Sequence, residues 1–355
     1  MRHLELFAGI GGFRQALTLL SEDFNFEQRT VGFSEIDKNA VKTYKAAFDT
    51  SGETEMGDII EFNSNPSNID AIEDFDLLTG GFPCQPFSMM GAQKGFTDER
   101  GTLFFQITEI LKHKQPKYVI LENVRNLTLH DNNKTLQTMV KKLRECGYQT
   151  VQYDLFNTSQ FDLAQKRSRV YIFASNEAID VDFKLDNVLT SFRNITEKTS
   201  ILRQKNTHEV LEKKVDEKYY LSEKIKPTIL ADGSKTFQSH SDINQMVARP
   251  LTATMTKMHR ACQDNYYSDG FINSDDPESY IKINYSKEEL AKQRIRKITP
   301  REALMLQGFG GDYLEKALSS GVSDHQLYHQ AGNAVSVNTV YAIMHYLFIE
   351  KGLIK

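Results

Sequence analysis

Phe7-Ala8-Gly9-Ile10-Gly11-Gly12 decides the reading of the first half of the chain. A strand-like run, His3–Phe7, leads into it, and Phe13–Leu20, with helical periodicity, leads out. Glycines at such a turn let the backbone reverse sharply and let a ligand come close to the helix N-terminus. The same alternation repeats downstream. Thr30–Ser34 reads as a strand and Asn39–Phe48 as a helix with Asp37 near its cap. Asp76–Thr79 is a short strand, Gly101–His113 is helical, and Tyr118–Leu121 is an unbroken apolar run, as a strand covered on both faces requires. Thr135–Cys146 is predicted helical and stopped by Gly147, and Val170–Ala174 closes the series. This order predicts an α/β fold with a doubly wound, parallel sheet.

From Glu177 to Arg296 the alternation is lost, polar residues rise, and stretches such as Phe237–Asn244 read as loop. A second, smaller domain is expected over 177–296, with 1–176 and 297–355 forming the larger one. Thr299–Leu306, with Pro300 in its first turn, and Thr339–Ile349 are predicted helices.

Bulk properties exclude several classes. With 355 residues, 40% hydrophobic and 25% charged, the chain is long enough for a large globular domain plus a smaller one. MRHLELFAGI lacks the pattern of a signal peptide, and no run of about 18 apolar residues occurs, so a cytoplasmic protein is expected. Three cysteines, Cys84, Cys146 and Cys262, cannot all pair and show no zinc spacing, which argues against a disulfide framework and a bound metal. The net charge of −4 gives no general attraction to nucleic acid, so a DNA-binding face has to come from local clusters of Lys and Arg.

The glycine turn admits more than one ligand. Glu35 at the end of the second predicted strand can accept ribose hydroxyls, and Asp58 can take an adenine amine. A dinucleotide turn has a third glycine three residues after Gly11, where this chain has Arg14. A cationic cofactor also tolerates nearby acids better than a pyrophosphate does. A glycine turn without any ligand is the competing structural reading.

Gly80-Gly81-Phe82-Pro83-Cys84-Gln85-Pro86-Phe87-Ser88 follows the strand ending at Thr79 and puts Cys84 at the carboxyl edge of the sheet, the usual ligand crevice. A lone cysteine is more often a small buried hydrophobe, but a loop rich in proline and glycine is poor core material. Glu122, in Glu122-Asn123-Val124, ends the neighbouring apolar strand. Together they suit one reaction. Carbon 5 of cytosine is a weak nucleophile, and a thiolate adding to carbon 6 makes it an enamine carbon. An acid at ring N3 eases that addition, and a Glu122 kept protonated by burial fits the role. Arg167 and Arg169 are candidates for the ring oxygen and a nearby phosphate, against the alternative of a solvated basic turn. A cytosine within a duplex has to be flipped out to reach the crevice.

The ordered motifs closely resemble those of the bacterial DNA (cytosine-5)-methyltransferase family. They are Phe7 to Gly12, Gly81 to Ser88, Arg100-Gly-Thr-Leu-Phe104, Glu122-Asn-Val124, Gln165-Lys-Arg-Ser-Arg169, Lys297-Ile-Thr-Pro-Arg-Glu302 with Leu306-Gln-Gly-Phe309, and Gln330-Ala-Gly-Asn-Ala-Val335. The resemblance implies a Rossmann-like class I methyltransferase domain with a target-recognition domain, S-adenosyl-L-methionine as cofactor, and double-stranded DNA as partner. It implies Cys84, Glu122, Arg167 and Arg169 as the catalytic set. Cofactor contacts are implied at Phe7, Gly9, Ile10, Gly11, Gly12, Glu35, Ile36, Asp58, Ile59, Pro83, Asn333 and Ala334. DNA contacts are implied at Gln85, Ser88, Arg100, Arg249, Thr252, Lys257 and Arg260, with Arg249-Pro-Leu-Thr252 resembling the family's Thr-Leu recognition element. Residues 85–100 correspond to a loop that closes over the flipped base, with Gly91 and Gly95 as hinges. The helix after Val335 is expected to return to the first domain. Ala164 stands where the family usually has proline.

The expected enzyme is a monomer of a restriction-modification system, independent of any cognate endonuclease and nucleoid-associated through DNA, without membrane or metal. A tRNA-modifying branch of the same family, with identical chemistry, and a non-catalytic DNA-binding relative are the alternatives. The long variable region favours DNA over RNA, and intact Cys84, Glu122 and Arg169 argue against the binding-only reading.

Overall fold

The computed structural model describes residues 1–83, 103–195, 198–233, 240–257, 259–260 and 262–354. The chain divides into two compact units.

The first unit comprises Met1–Asn157, Ser168–Ser200 and Thr339–Lys355. Its strands are β1 (Arg2–Leu6), β2 (Arg29–Ser34), β3 (Thr54–Glu55), β4 (Leu77–Gly81), β5 (Tyr118–Val124), β6 (Thr150–Asn157) and β7 (Ser168–Ser175), in the spatial order β3-β2-β1-β4-β5-β7-β6. Every pairing from β3 to β5 is parallel, whereas β7 runs antiparallel to both β5 and β6. The expected all-parallel sheet is therefore mixed. This reversal brings the start of β7 to the carboxyl end of β5.

Helices α1 (Gly12–Phe24), α2 (Lys38–Ala47), α3 (Ile59–Asn63), α4 (Pro66–Ala71), α5 (Leu103–Lys114), α6 (Lys134–Glu145) and α7 (Leu185–Arg193) connect or flank the strands. Asp37 caps α2 as expected, accepting from Asn39 N at 2.8 Å and Ala40 N at 3.4 Å. Gly147, at φ 100°, ends the α6 segment in a conformation few other residues adopt. Both faces of the sheet are covered, which explains the apolar run of β5. Val119 and Leu121 pack with Ile107, Leu111, Leu136 and Leu143 of α5 and α6. On the opposite face, Tyr118 packs against Phe348 at 5.6 Å between ring centroids.

The second unit comprises Thr158–Arg167 and Ile201–Asn338. It contains the two-stranded sheet of β8 (Tyr266–Ser268) and β9 (Ile295–Lys297). Helices α8 (Lys226–Leu230), α9 (Asp269–Ile272), α10 (Pro277–Lys282), α11 (Lys287–Ala291), α12 (Pro300–Met305), α13 (Gly311–Leu318) and α14 (Asp324–Asn333) surround it, and α15 (Val337–Met344) begins at its end. One apolar cluster of this unit is Leu221, Ile229, Leu230, Ile243, Tyr266 and Ile295. A buried Arg296–Glu302 pair, bidentate at 2.7 and 2.9 Å, closes one side, and Glu302 also completes the capping box of α12 with Thr299.

These boundaries differ from the expected 177–296, for local reasons. Residues 177–200 stay with the first unit because side chains of the edge strand β6 hold the backbone that follows β7. Thr150 Oγ1 accepts from Ile179 N at 3.1 Å, Gln152 Oε1 from Phe183 N at 2.7 Å and Asp154 Oδ2 from Leu185 N at 2.9 Å. Residues 158–167 join the second unit through Lys166 N to Ala248 O at 2.9 Å and Ala248 N to Ala164 O at 2.8 Å. Ala164, in place of the family's proline, uses the amide hydrogen proline lacks, donating to Gln204 Oε1 at 3.2 Å. No helix among the described residues is long and apolar enough to cross a membrane.

Candidate active site

The glycine turn is built by backbone conformation first. Phe7 at φ 52°, Gly9 at φ 54° and Gly11 at φ 83° take the chain from β1 into α1. Phe7 thereby leaves the strand one residue earlier than the apolar run implies. Gly11 is required twice over, since a Cβ there would lie 2.4 Å from Phe48 Cε2 and 2.9 Å from Tyr44 Cε2.

The N-terminus of α1 has no side-chain cap of its own, and a buried acid serves it from behind. Glu5 of β1 accepts from Arg14 N at 3.3 Å and from the Tyr44 hydroxyl at 3.0 Å. Burial pushes the Glu5 carboxyl up to about 7, opposed by Arg14, Tyr44 and the helix N–H groups. Arg14, the residue that breaks the dinucleotide pattern, pairs with Glu53 at 2.7 Å, donates to Asp49 O at 2.9 Å and lies 4.5 Å over the Phe48 ring. Sequence reasoning gives neither Glu5 nor Arg14 a part in supporting the turn, although an ionisable residue in an otherwise apolar strand is the signal that marks Glu5.

Glu35 meets the turn directly. Gly9 N donates to its Oε2 at 2.8 Å and Asp37 N to its Oε1 at 2.7 Å. Burial raises the Glu35 pKa, while these two backbone donors hold it down. Beside it Ile36 is 70% exposed, a large apolar side chain facing outward with no core to join. Asp58 caps α3 through Ile60 N at 2.9 Å. Ile10 and Ile59 instead point into the core, so their side chains serve packing, and it is Ile60, missed in the sequence, that is 44% exposed next to Asp58.

The second half of the site lies at the ends of β4 and β5. Gly81 is the cross-strand partner of Glu122. Phe82 then packs between Phe7 and Phe104 at 6.4 and 5.8 Å, with its carbonyl accepting from Asn123 Nδ2 at 2.8 Å. Pro83 is exposed and is the chain neighbour of Cys84. Cys84, Gln85, Ser88 and Arg100, together with the expected closing loop over 85–100 and its expected hinges Gly91 and Gly95, lie outside the described residues.

Glu122 is 7% exposed and faces Arg169, whose Nε lies 2.8 Å from Oε1. The register explains the meeting. Glu122 pairs with Tyr171 across β5 and β7, and Arg169, two residues before Tyr171, emerges on the same face.

Arg167 is the other arginine of the expected catalytic set. It is buried, and its guanidinium donates to Leu251 O, Gly332 O and Ala334 O, each at 3.0 Å. Those bonds tie together backbone of the second unit. The DNA candidates divide as well. Arg249 donates to Asp242 O at 2.8 Å and Asp264 O at 3.3 Å, and Arg260 bridges Thr252 Oγ1 at 2.9 Å and Asp264 at 3.3 Å. Lys257 is exposed. Asn333 is exposed at the end of α14, with its Nδ2 3.1 Å from His329 Nε2, and Ala334 follows it, buried. No group of His, Cys, Asp and Glu suited to a metal occurs among the described residues.

Comparison with known proteins agrees with this architecture. The sequence matches the family described as C-5 cytosine-specific DNA methylase over residues 1–348. It is 37% identical over 341 residues to the type II methyltransferase M1.ScrFI of Lactococcus lactis subsp. cremoris, covering 96% of this chain and 76% of that one. It is 36% identical over 344 residues to the type II methyltransferase M.NlaX of Neisseria lactamica, covering 96% and 94%. Among solved structures, the Dnmt2 methyltransferase of S. pombe superposes with a TM-score of 0.71 at 23% identity, covering 98% of each chain. A Dnmt2 mutant from Spodoptera frugiperda gives 0.70 at 21%, covering 98% and 99%; at such identities the likeness speaks for the fold alone. A family match that runs from the first residue almost to the last, carried by relatives more than a third identical, makes this chain a member of the C-5 cytosine-specific DNA methylase family, a DNA (cytosine-5-)-methyltransferase.

Proposed function

We propose that this enzyme methylates carbon 5 of a cytosine flipped out of a specific duplex DNA sequence, with S-adenosylmethionine as methyl donor and Cys84 as transient nucleophile. The observation that carries the reading is the Glu122–Arg169 pair at the carboxyl end of β5, opposite the strand whose chain continues through Gly81 to Cys84.

The donor set fits the cofactor. Glu35, fixed by Gly9 N, offers carboxylate oxygens to ribose hydroxyls, and the outward Ile36 and Ile60 offer apolar surface to a purine. Phe7, Gly9, Gly11, Gly12 and Pro83 would line the remainder, with backbone from Ile10 and Ile59, Asp58 toward the adenine amine, and Asn333 and Ala334 by the family's pattern. The Glu35 side chain already occupies an N–H group of the turn and Glu5 one at the start of α1, which suits a cation better than a phosphate. When bound, the cofactor supplies an electrophilic methyl group on a sulfonium.

The protein's own groups do the rest. The Cys84 thiolate adds to carbon 6, and Glu122 delivers a proton at N3, leaving an enamine nucleophilic at carbon 5. Glu122 is buried, with Arg169 Nε 2.8 Å from its Oε1. Arg169 also directs positive charge toward the ring. After carbon 5 is methylated its proton passes to water, the electron pair re-forms the 5,6 double bond as the carbon–sulfur bond breaks, the thiolate leaves and N3 returns its proton to Glu122.

The second unit would read the DNA, through Arg249, Thr252, Lys257 and Arg260, with Gln85, Ser88 and Arg100 acting from the 85–100 loop. The type II names of its relatives point to the modification activity of a restriction-modification system. In this reading the enzyme acts as a monomer on chromosomal DNA in the cytoplasm, independent of an endonuclease. Incubation with tritiated cofactor and either duplex DNA or tRNA tests the reading, with bisulfite sequencing of plasmid from expressing cells to map the target. Label in DNA at one recurring sequence is expected. Label confined to tRNA would overturn it.

A further inference from the structure

The segment Leu251-Thr252-Ala253 is held at successive points of its backbone. Gln165 Oε1 accepts from Leu251 N at 3.0 Å, and Arg167 donates to Leu251 O at 3.0 Å. Gly332 lies against the next peptide so closely that a Cβ there would sit 2.2 Å from Thr252 C and 2.3 Å from Ala253 N. His329, one turn earlier on α14, reaches Ala253 O with Nδ1 at 3.1 Å and Asn333 Nδ2 with Nε2 at 3.1 Å. A carbonyl only accepts, so the Nδ1 of His329 carries the hydrogen, and the neutral ring leaves Nε2 to accept from the Asn333 amide. The Thr252 hydroxyl is in turn aimed by Arg260, which donates to it at 2.9 Å.

We propose that His329 is a positioning residue for target recognition, holding the Thr252–Ala253 peptide so that Thr252 is presented to DNA in one fixed orientation. The proposal rests on the reading of Arg249–Thr252 as a recognition element. A reader that discriminates between base pairs needs its contacting group fixed to fractions of an ångström, because a loose one meets wrong and right partners almost equally well. Backbone clamping by side chains that do not touch DNA provides that precision. The same imidazole orients the Asn333 amide, so the last turn of α14 and the recognition element share one anchor.

The test uses the full chain and two duplexes, one carrying the mapped target and one differing from it by a single base pair. The readout is the ratio of kcat/KM values, which a general loss of folded protein would not move. His329→Leu removes the donor to Ala253 O, and the ratio is expected to fall about five- to tenfold, the weight of one hydrogen bond. His329→Gln keeps a donor and an acceptor in place and is expected to stay within about twofold of the parent. Thr252→Ala serves as the reference for the underlying reading. If Thr252→Ala relaxes discrimination and His329→Leu does not, the positioning role is wrong. If Thr252→Ala leaves discrimination intact, the recognition reading of the segment fails, and the proposal fails with it. Should His329→Leu unfold, Gly332→Ala, which pushes the same peptide from the same helix, is expected to lower the ratio similarly, and an unchanged ratio there would overturn the proposal.

Discussion

Arg169 Nε and Glu122 Oε1 lie 2.8 Å apart because β7 runs against β5, so that the first residues of one strand stand over the last residues of the other. The pair joins a cation to the strand-end carboxylate that the proposed chemistry requires. Replacing Glu122 with Gln keeps the volume and removes the proton carrier. Methyl transfer is expected to slow by about 10²- to 10⁴-fold. Equilibrium cofactor binding is expected to change little, since the cofactor residues lie on other strand ends. Initial rates and a binding titration on the same preparation check both halves, and equal loss in rate and affinity would mean that Glu122 acts on the cofactor.

Glu5 makes stability depend on pH. Its folded pKa of about 7 lies above the ordinary 4.5, so the fold prefers the protonated acid. Its contribution is fully present below pH 4.5 and is lost as the pH rises through about 7. The loss is on the order of 3 kcal/mol. Glu5→Gln, which cannot ionise, is expected to flatten this part of the curve. Thermal melts of both proteins from about pH 5 to pH 8 give the comparison, and parallel curves would show that Glu5 does not titrate in this window.

The two glycines of the turn should respond differently to alanine. Gly9, at φ 54°, has open space within 4 Å of the point where a Cβ would stand, so Gly9→Ala carries only the left-handed backbone penalty. That is about 1–2 kcal/mol. Gly11→Ala adds a collision with Phe48 and Tyr44 and is expected to cost clearly more in a urea unfolding series. Equal costs would mean that the aromatic pair moves aside freely.

Much of this architecture is legible in the residues, and the failures have physical causes. Strands β1, β2, β4 and β5 and helices α1, α2, α5 and α6 follow from periodicity and caps, because each apolar face is continuous along the chain, whereas the two-residue β3 and the short α3 and α4 carry no such signal. Strand β6 escapes notice because Thr150, Gln152 and Asp154 along it look like loop chemistry, whereas they bind the backbone of 179–185 along the sheet edge. Missing β6 also hides the direction of β7. Only residues 158–167 separate the two strands, and a parallel crossover takes a dozen or more, so the antiparallel arrangement follows once β6 is known. Arg167 and Arg169 look equivalent in sequence. Only the three carbonyls around one and the carboxylate beside the other tell them apart. Ile59 and Ile60 likewise exchange places, since the cap formed by Asp58 decides which of them faces outward.

In the second unit, Glu302→Gln tests the buried pair with Arg296. Glutamine can still complete the capping box at the start of α12, so the change isolates the ion pair. Leaving the Arg296 guanidinium, 1% exposed, without its anion is expected to cost about 3–5 kcal/mol. Chemical denaturation measures it, and a cost below about 1 kcal/mol would mean that water or neighbouring carbonyls replace the carboxylate.

The covalent step is tested most directly with duplex DNA carrying 5-fluorocytosine at the mapped target. Fluorine at carbon 5 cannot leave as a proton does, so once the methyl group has been transferred the enzyme is expected to remain bonded to the DNA through Cys84, as a species that survives denaturing electrophoresis and is absent for Cys84→Ala. Efficient methylation of the unmodified duplex with no adduct on the fluorinated one would contradict a mechanism that passes through a thiolate at carbon 6.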